Sequence, residues 1–250
     1  MSLPIYVADV EKSYPEHFRR KRKILHGISL EVHAREVFGF IGPNGAGKST
    51  TINLLMGFTQ PDAGMLKING MPTGNPEARR NIGYLPEGPR FYENLTAMEL
   101  LSFGAKASGM RRDDFLRAVD PLLDQLSILH VKHRPINTYS KGMKQRMGLA
   151  MALIHDPQTL ILDEPMSGLD PLGRNQLKNI ILELKAKGKN IFFSSHILND
   201  VETLCDRIGI IHRGRILFCG KAKSFLDSGQ DLESKFVKLI KSADEEHATA

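Results

Sequence analysis

The segment Gly42-Pro43-Asn44-Gly45-Ala46-Gly47-Lys48-Ser49 constrains this chain more than any other. It follows a continuously apolar run, Val37–Ile41, that reads as a strand, and a helical pattern opens at Ser49. Its spacing is G-x-x-x-x-G-K-[ST]. The glycines let the backbone curl so that successive N–H groups point inward, toward anionic oxygens. The helix that follows adds unpaired N–H groups and the positive end of its dipole. Lys48 can reach the outer phosphates of a nucleotide, and the Ser49 hydroxyl can ligate Mg²⁺. A plain glycine-rich turn is the alternative, and the strand–loop–helix context stands against it.

Short apolar runs alternate with helical patterns over most of the length, which predicts an α/β fold with a largely parallel sheet. Thr159–Leu162 and Asn190–Phe193 are continuously apolar like Val37–Ile41, as strands covered on both faces are. Asp163 and Glu164 close the second of these runs and Pro165 ends it. A carboxylate at the carboxyl end of a buried parallel strand lies beside a nucleotide crevice. Asp163 is then the Mg²⁺ partner, directly or through water, and Glu164 can polarise an attacking water as general base. A polar strand exit is the competing reading of Asp-Glu-Pro. His196 follows the strand Asn190–Phe193, where packing, capping and functional roles are all open, and Ser195 is an equal candidate for the helix N-cap.

Residues from about Gly88 to Asn137 read as mostly helical. Thr96 and Glu99 form a capping box, with Leu95 and Leu100 as its hydrophobic staple. Phe115, Val119, Leu122, Leu123 and Leu126 have helical spacing, interrupted by Pro121, which predicts a kink or a restart with Asp120 as N-cap. Ile208–Ile211 and Arg215–Phe218 read as a hairpin turning at Arg213-Gly214. Leu232, Phe236, Leu239 and Ile240 mark a short amphipathic helix, and the polar tail Ser242–Ala250 is expected to fray.

At 250 residues the chain fits one large domain, or one core with an inserted lobe. A chain of that size buries roughly 70–75% of its unfolded surface and needs no disulfide staples. Its two cysteines, Cys205 and Cys219, sit in apolar stretches and suit a reducing compartment. Met1–Val10 lacks a basic region leading into an apolar one, so no signal peptide is expected. No apolar run approaches the ~18 residues of a membrane span, so any spans belong to another chain. Net charge is +6, but Arg19, Arg20, Lys21, Arg22 and Lys23 supply five positive charges in one run. That run reads as a solvated loop, or as a contact for anionic lipid headgroups or a partner, and there is no broad basic surface for nucleic acid.

Together these segments resemble the ATP-binding cassette (ABC) ATPase family, from about Ile5 to Phe225. Gly42–Ser49 and Thr159–Glu164 correspond to its Walker A and Walker B segments. Tyr139-Ser140-Lys141-Gly142-Met143-Lys144-Gln145-Arg146 resembles its signature sequence, and Ser167-Gly168-Leu169-Asp170 its D-loop. His196 falls at the switch histidine. The resemblance implies a P-loop NTPase core with a mostly parallel sheet, an N-terminal antiparallel β portion and an inserted helical lobe. The ATPase domain would span residues 1–228 with the lobe at about 88–137, and residues 229–250 would form a short C-terminal helix and tail.

The resemblance also implies ATP and Mg²⁺ as cofactors. Asn44, Gly45, Ala46, Gly47, Lys48, Ser49 and Thr50 would surround the phosphates, with Lys48, Glu164 and His196 catalytic and Ser49, Asp163 and Glu87 at the metal. Ser140 and Gly142 would contact the γ-phosphate of ATP bound to a partner cassette in a head-to-tail dimer. Tyr14 falls where the family stacks adenine, with Pro15–Lys23 lengthening the following loop; Tyr6 and Phe18 are rivals, and a surface tyrosine is the alternative. Glu87 departs from the family's usual glutamine, and Lys141 and Met143 from its commoner glycine and glutamine. That signature is similar to the export-type branch called ABC-2.

The implied partners are a membrane-spanning permease subunit, at whose cytoplasmic face this chain would sit peripherally, and a second ABC ATPase subunit, identical or different. The helical lobe would dock onto the permease. No nucleic acid is expected. Competing readings are a soluble ABC ATPase acting on nucleic acid or ribosomes, and a regulatory ATP-binding module. The first usually carries tandem cassettes or a long coiled-coil insertion, absent here; intact Lys48, Asp163, Glu164 and His196 oppose the second.

Overall fold

The long strands β1 (Ile5–Glu16) and β2 (Arg20–Val32) pair antiparallel and bury Ile5, Val7 and Val10 opposite Val32, Leu30 and Ile28. The structure, a computed structural model, describes residues 3–16, 20–226 and 232–248. The register shifts between Val7 and Val10, where Asp9 takes φ 49 and donates its N–H to Ser29 Oγ at 2.9 Å, the geometry of a β-bulge. The basic run departs from expectation. Arg20–Lys23 lie within β2, paired with Glu16–Ser13, rather than in a loop. A two-stranded ribbon pairs backbone groups while leaving charged side chains in water, and Lys23 also reaches Glu11 at 2.7 Å. Tyr14 is therefore a strand residue opposite Arg22. Phe18 and Arg19 lie outside the described residues.

Two compact units divide the chain, Met1–Arg79 with Asn190–Ala250, and Arg80–Lys189. In the first, β3 (Val37–Ile41) is wholly buried and leads through the glycine loop into α1 (Lys48–Leu55). Strands β4 (Ala63–Ile68) and β5 (Met71–Pro72) complete an antiparallel sheet in the order β2-β1-β4-β5.

The second unit contains β6 (Ile82–Leu85), α2 (Ala97–Ala107), α3 (Arg112–Gln125), α4 (Lys141–Leu153), β7 (Thr159–Leu162) and α5 (Pro171–Ala186). Strands β6 and β7 are parallel. Helix α4 lies tight on β6: a Cβ at Gly83 would meet Ala152 O at 2.2 Å, and one at Gly148 would meet Leu85 Cδ1 at 2.6 Å. Thr96 and Glu99 form the expected capping box on α2. Helix α3 runs through Pro121 without the predicted restart. Proline there removes one i→i−4 bond, and the buried face of Phe115, Val119 and Leu123, on both sides of it, holds the helix together.

The chain then returns to the first unit with β8 (Asn190–Ser195), α6 (Leu198–Leu204), β9 (Arg207–His212), β10 (Arg215–Lys221), α7 (Ala222–Leu226) and α8 (Leu232–Ala248). Strand β3 pairs parallel with both β8 and β9, and β10 closes the row antiparallel to β9. Phe38 and Phe192, register partners on β3 and β8, stack with centroids 5.7 Å apart. Burying each such ring contributes about 1.5–3 kcal/mol, and the stack about 0.5–1.5 kcal/mol more. The β9–β10 turn has φ 42 at Arg213 and φ 71 at Gly214, the positive pair that a tight right-twisted hairpin requires. Residues 242–248, expected to fray, continue α8 as helix. Their anchor is Asp244, whose carboxylate bonds His212 and Arg213.

Candidate nucleotide site

The glycine loop is built by backbone geometry before any side chain acts. Gly45 has φ 79 and Gly47 φ 113; at Gly47 a side chain would be strained, and its Cβ would sit 2.7 Å from Leu25 Cδ2. Gly47 is the N-cap of α1, and no acidic residue occupies the first helical turn. The opening N–H groups of a helix have no intrahelical acceptor, so they face whatever sits in the loop. Lys48 is only 6% exposed, and its ammonium donates to Gly42 O at 2.7 Å and Pro43 O at 3.3 Å. A charge so desolvated is strongly biased toward an anionic partner. Asn44, Gly45 and Ser49 are exposed, Thr50 is half-buried, and Ala46 and Gly47 are buried.

His196 emerges beside this loop. Strands β3 and β8 are parallel with Ile41 opposite Ser195, so Gly42 and His196 are the next residues off neighbouring strand ends. His196 is exposed. The N-cap of α6 is Ile197 with no side-chain bond, and Ser195 Oγ accepts the Ile197 N–H at 2.9 Å.

In the second unit, β7 delivers the carboxylates. Asp163 is 4% exposed, and its N–H donates to Leu85 O at 2.8 Å, tying it to the end of β6. Glu87 leaves that same strand end and is exposed. Tyr84 lies nearby: burial, and then the charge of Asp163, push its phenol up to about 12. Glu164 takes φ 48, a left-handed conformation for a non-glycine residue that precedes proline. Such a conformation costs an L-residue on the order of 1–3 kcal/mol and turns the chain out of β7. Ser167 N–H closes the turn on Glu164 O at 3.0 Å, and the buried Gln145 amide donates to Pro165 O at 3.0 Å.

The signature and D-loop segments meet in the same unit. Ser140 is the N-cap of α4, its hydroxyl accepting the Met143 N–H at 3.2 Å, with Gly142 in the first turn. Gly168 has φ 75, and a Cβ there would meet Lys141 Cε at 2.4 Å. Asp170 caps α5 through Gly173 N–H at 2.8 Å. The first turn of α4 carries Lys141 and Lys144 and no acidic residue, and Lys144 pairs with Glu93 at 2.6 Å. Tyr14 is half-buried on β1, with Lys12 Nζ 5.4 Å from its ring centroid; Tyr6, its described rival, is half-buried on the same strand. The grip of Gln145 on Pro165 and the Tyr84–Asp163 proximity were not foreseen; the only sequence signal for the first is one polar residue on an otherwise apolar helix face.

These residues suit a nucleotide with magnesium. The loop offers curled backbone, a buried ammonium and the Ser49 hydroxyl. In the second unit, Asp163 and Glu87 each carry the hard carboxylate oxygen that Mg²⁺ takes. Among the described residues no cluster of three or more His, Cys, Asp or Glu could hold a metal by itself.

A buried strand, a curled glycine loop and a helix that opens at a buried lysine define a P-loop nucleotide-binding protein. A family model described as ABC transporter matches residues 25–167. The chain is 43% identical to an uncharacterized ABC transporter ATP-binding protein of Nostoc, over 90% of this chain and 68% of that one. It is 40% identical to the bacitracin transport ATP-binding protein BcrA of Bacillus licheniformis, over 87% and 69%. It thus spans about two thirds of the length of these relatives. A solved ATP-binding subunit of an ABC transporter superposes with TM-score 0.85 at 34% identity, covering 95% of this chain and 99% of that one. The chain belongs to the ABC transporter family, as an ATP-binding subunit with ATPase activity. Among the described residues no helix is long and apolar enough to cross a membrane.

Proposed function

We propose that this chain is the ATP-driven engine of a transporter whose membrane-spanning permease is a separate subunit, and that it works at the cytoplasmic face. Its ATPase domain is residues 1–228 with the lobe at about 88–137, followed by residues 229–250 as a C-terminal appendage. The observation that carries the site reading is the pairing of Ile41 with Ser195, which sets an exposed His196 beside the phosphate loop.

In this reading Lys48 offsets charge on the β- and γ-phosphates, and the α1 N–H groups and Asn44–Thr50 orient them. Ser49 and Asp163 hold Mg²⁺, with Glu87 as a further oxygen. The ion, when bound, neutralises charge on the phosphate oxygens. Glu164 accepts the proton of the attacking water, and His196 donates to the terminal phosphate. Tyr14 stacks on adenine. Ser140 and Gly142 present the α4 N-terminus to ATP bound by a second cassette, so two ATP molecules clamp a head-to-tail dimer. Dimer closure on ATP does the mechanical work, and hydrolysis resets it.

Exposed Phe103 on α2 and Leu116 on α3 support the lobe as the permease-docking surface. The signature's likeness to the ABC-2 branch supports export. Light scattering of Glu164→Gln tests the dimer. The expected result is a monomer alone and a dimer with saturating Mg-ATP; a variant that binds ATP yet stays monomeric contradicts a homodimeric clamp.

A further inference from the structure

The C-terminal helix reaches the phosphate loop through a short relay of contacts. On α8, Asp244 Oδ1 accepts from His212 Nε2 at 2.8 Å and lies 2.9 Å from Arg213 Nη2. The His212 side chain is 11% exposed and the Asp244 carboxylate 40%, so the contact is shielded on the His212 side. Its Nδ1 is buried without a hydrogen-bond partner among the described residues, so Nε2 is the ring atom that ties His212 to its surroundings, and it does so through Asp244.

His212 and Arg213 open the β9–β10 turn, and the next residue touches the nucleotide loop itself. Gly214 donates its N–H to Ala46 O at 2.9 Å, and its carbonyl accepts from His26 N–H at 2.9 Å. The wedge is tight: a Cβ on Gly214 would lie 1.8 Å from Ile24 O. Ile211, just before His212, backs both ends of the loop. Cβ atoms built on Gly42 and Gly47 would meet Ile211 O at 2.3 Å and Ile211 Cδ1 at 3.3 Å. Helix α8 is itself held at its other end, where Lys235 bonds Phe225 O and lies over the Phe225 ring.

From this chain of contacts we infer that Asp244 and His212 are positioning residues for ATP, acting through the β9–β10 turn on the phosphate loop. Asp244 fixes the turn, and the turn fixes the Ala46 carbonyl and the backs of Gly42 and Gly47. The N–H groups that would meet phosphate are set by that loop conformation. The carboxylates of Asp163 and Glu164 sit on other elements, so the effect falls on nucleotide affinity more than on proton transfer to Glu164. The inference rests on the loop being the ATP site.

The test uses the full chain and four variants: Asp244→Ala, Asp244→Glu, Lys241→Ala and Lys48→Ala. Mg-ATP affinity is measured by calorimetry, KM and kcat by steady-state hydrolysis, and exchange of the Gly214 amide by NMR. Asp244→Ala is expected to raise Kd and KM about 3–10-fold with kcat within about twofold, and to speed Gly214 exchange. Asp244→Glu, which keeps the carboxylate, is expected to recover part of the affinity, and Lys241→Ala, on the same helix outside the relay, to match the wild type. Unchanged Kd and KM in Asp244→Ala, even with lowered thermal stability, would overturn the inference and reduce the contact to a fastening of α8. Wild-type affinity in Lys48→Ala would instead remove the site reading beneath it, an outcome separable because it does not involve α8.

Discussion

Ile41 and Ser195 face each other across the parallel strands β3 and β8, so Gly42 and His196 step off the sheet side by side. One is the first residue of the phosphate loop, the other an exposed histidine. In the proposed site, His196 donates to the terminal phosphate. His196→Ala should therefore lower kcat about 10²-fold or more while leaving the ATP Kd within about threefold. Steady-state kinetics and calorimetry check both halves. A variant that turns over normally would return His196 to the surface-residue class.

Gly47 tests the loop's backbone. At φ 113, any substitution adopts a conformation that costs an L-residue about 1–2 kcal/mol, and a methyl group would also press on Leu25. Gly47→Ala should lower Tm by about 2–6 °C and weaken Mg-ATP binding more than tenfold. Calorimetric unfolding and ATP titration of the same sample decide it. Wild-type affinity would mean that the loop's curl is not what holds the phosphates.

Gln145 links the signature helix to the strand exit that carries Glu164. Its amide donates to the Pro165 carbonyl in a buried setting, and truncation leaves that acceptor unsatisfied. Gln145→Ala should cost about 1–3 kcal/mol in urea unfolding and reduce kcat through misplacement of Glu164. Loss of stability with unaltered kcat would make the bond purely structural.

His155 gives the fold a pH dependence with a definite sign. Burial lowers its pKa below 6.5, outweighing the Ile82 carbonyl and Asp156, which raise it. The unfolded chain therefore binds the proton more readily. The stability from keeping this ring neutral is fully present above 6.5 and is lost as pH falls from there toward the lowered folded value. Urea midpoints measured from pH 8 down to 5 should fall more steeply in the wild type than in His155→Gln. Parallel curves would contradict it.

Residues whose partners are close in sequence were legible from the sequence. The buried strands, the glycine loop, the Thr96–Glu99 capping box and the Arg213-Gly214 turn each carry their own local reason. Long-range partners were not. Arg20–Lys23 look like a loop until Ser13–Glu16 pair with them, and residues 242–248 look frayed until His212 and Arg213 bind Asp244. Pro121 signals a break, yet the burial of Phe115, Val119 and Leu123 outweighs one missing hydrogen bond. The site followed the same rule. Asp163 and Glu164 were placed by their strand, but the left-handed backbone of Glu164 and the grip of Gln145 on Pro165 exist only in the folded chain.

The most direct test of the account is ATP hydrolysis by Glu164→Gln beside the wild type, with Mg-ATP affinity measured on both. If Glu164 is the general base, the variant binds ATP within about threefold of the wild type and turns over about 10²–10⁴-fold more slowly, a barrier increase of about 3–5 kcal/mol. Turnover within about tenfold of the wild type would contradict the assignment and move the proton acceptor elsewhere in the site.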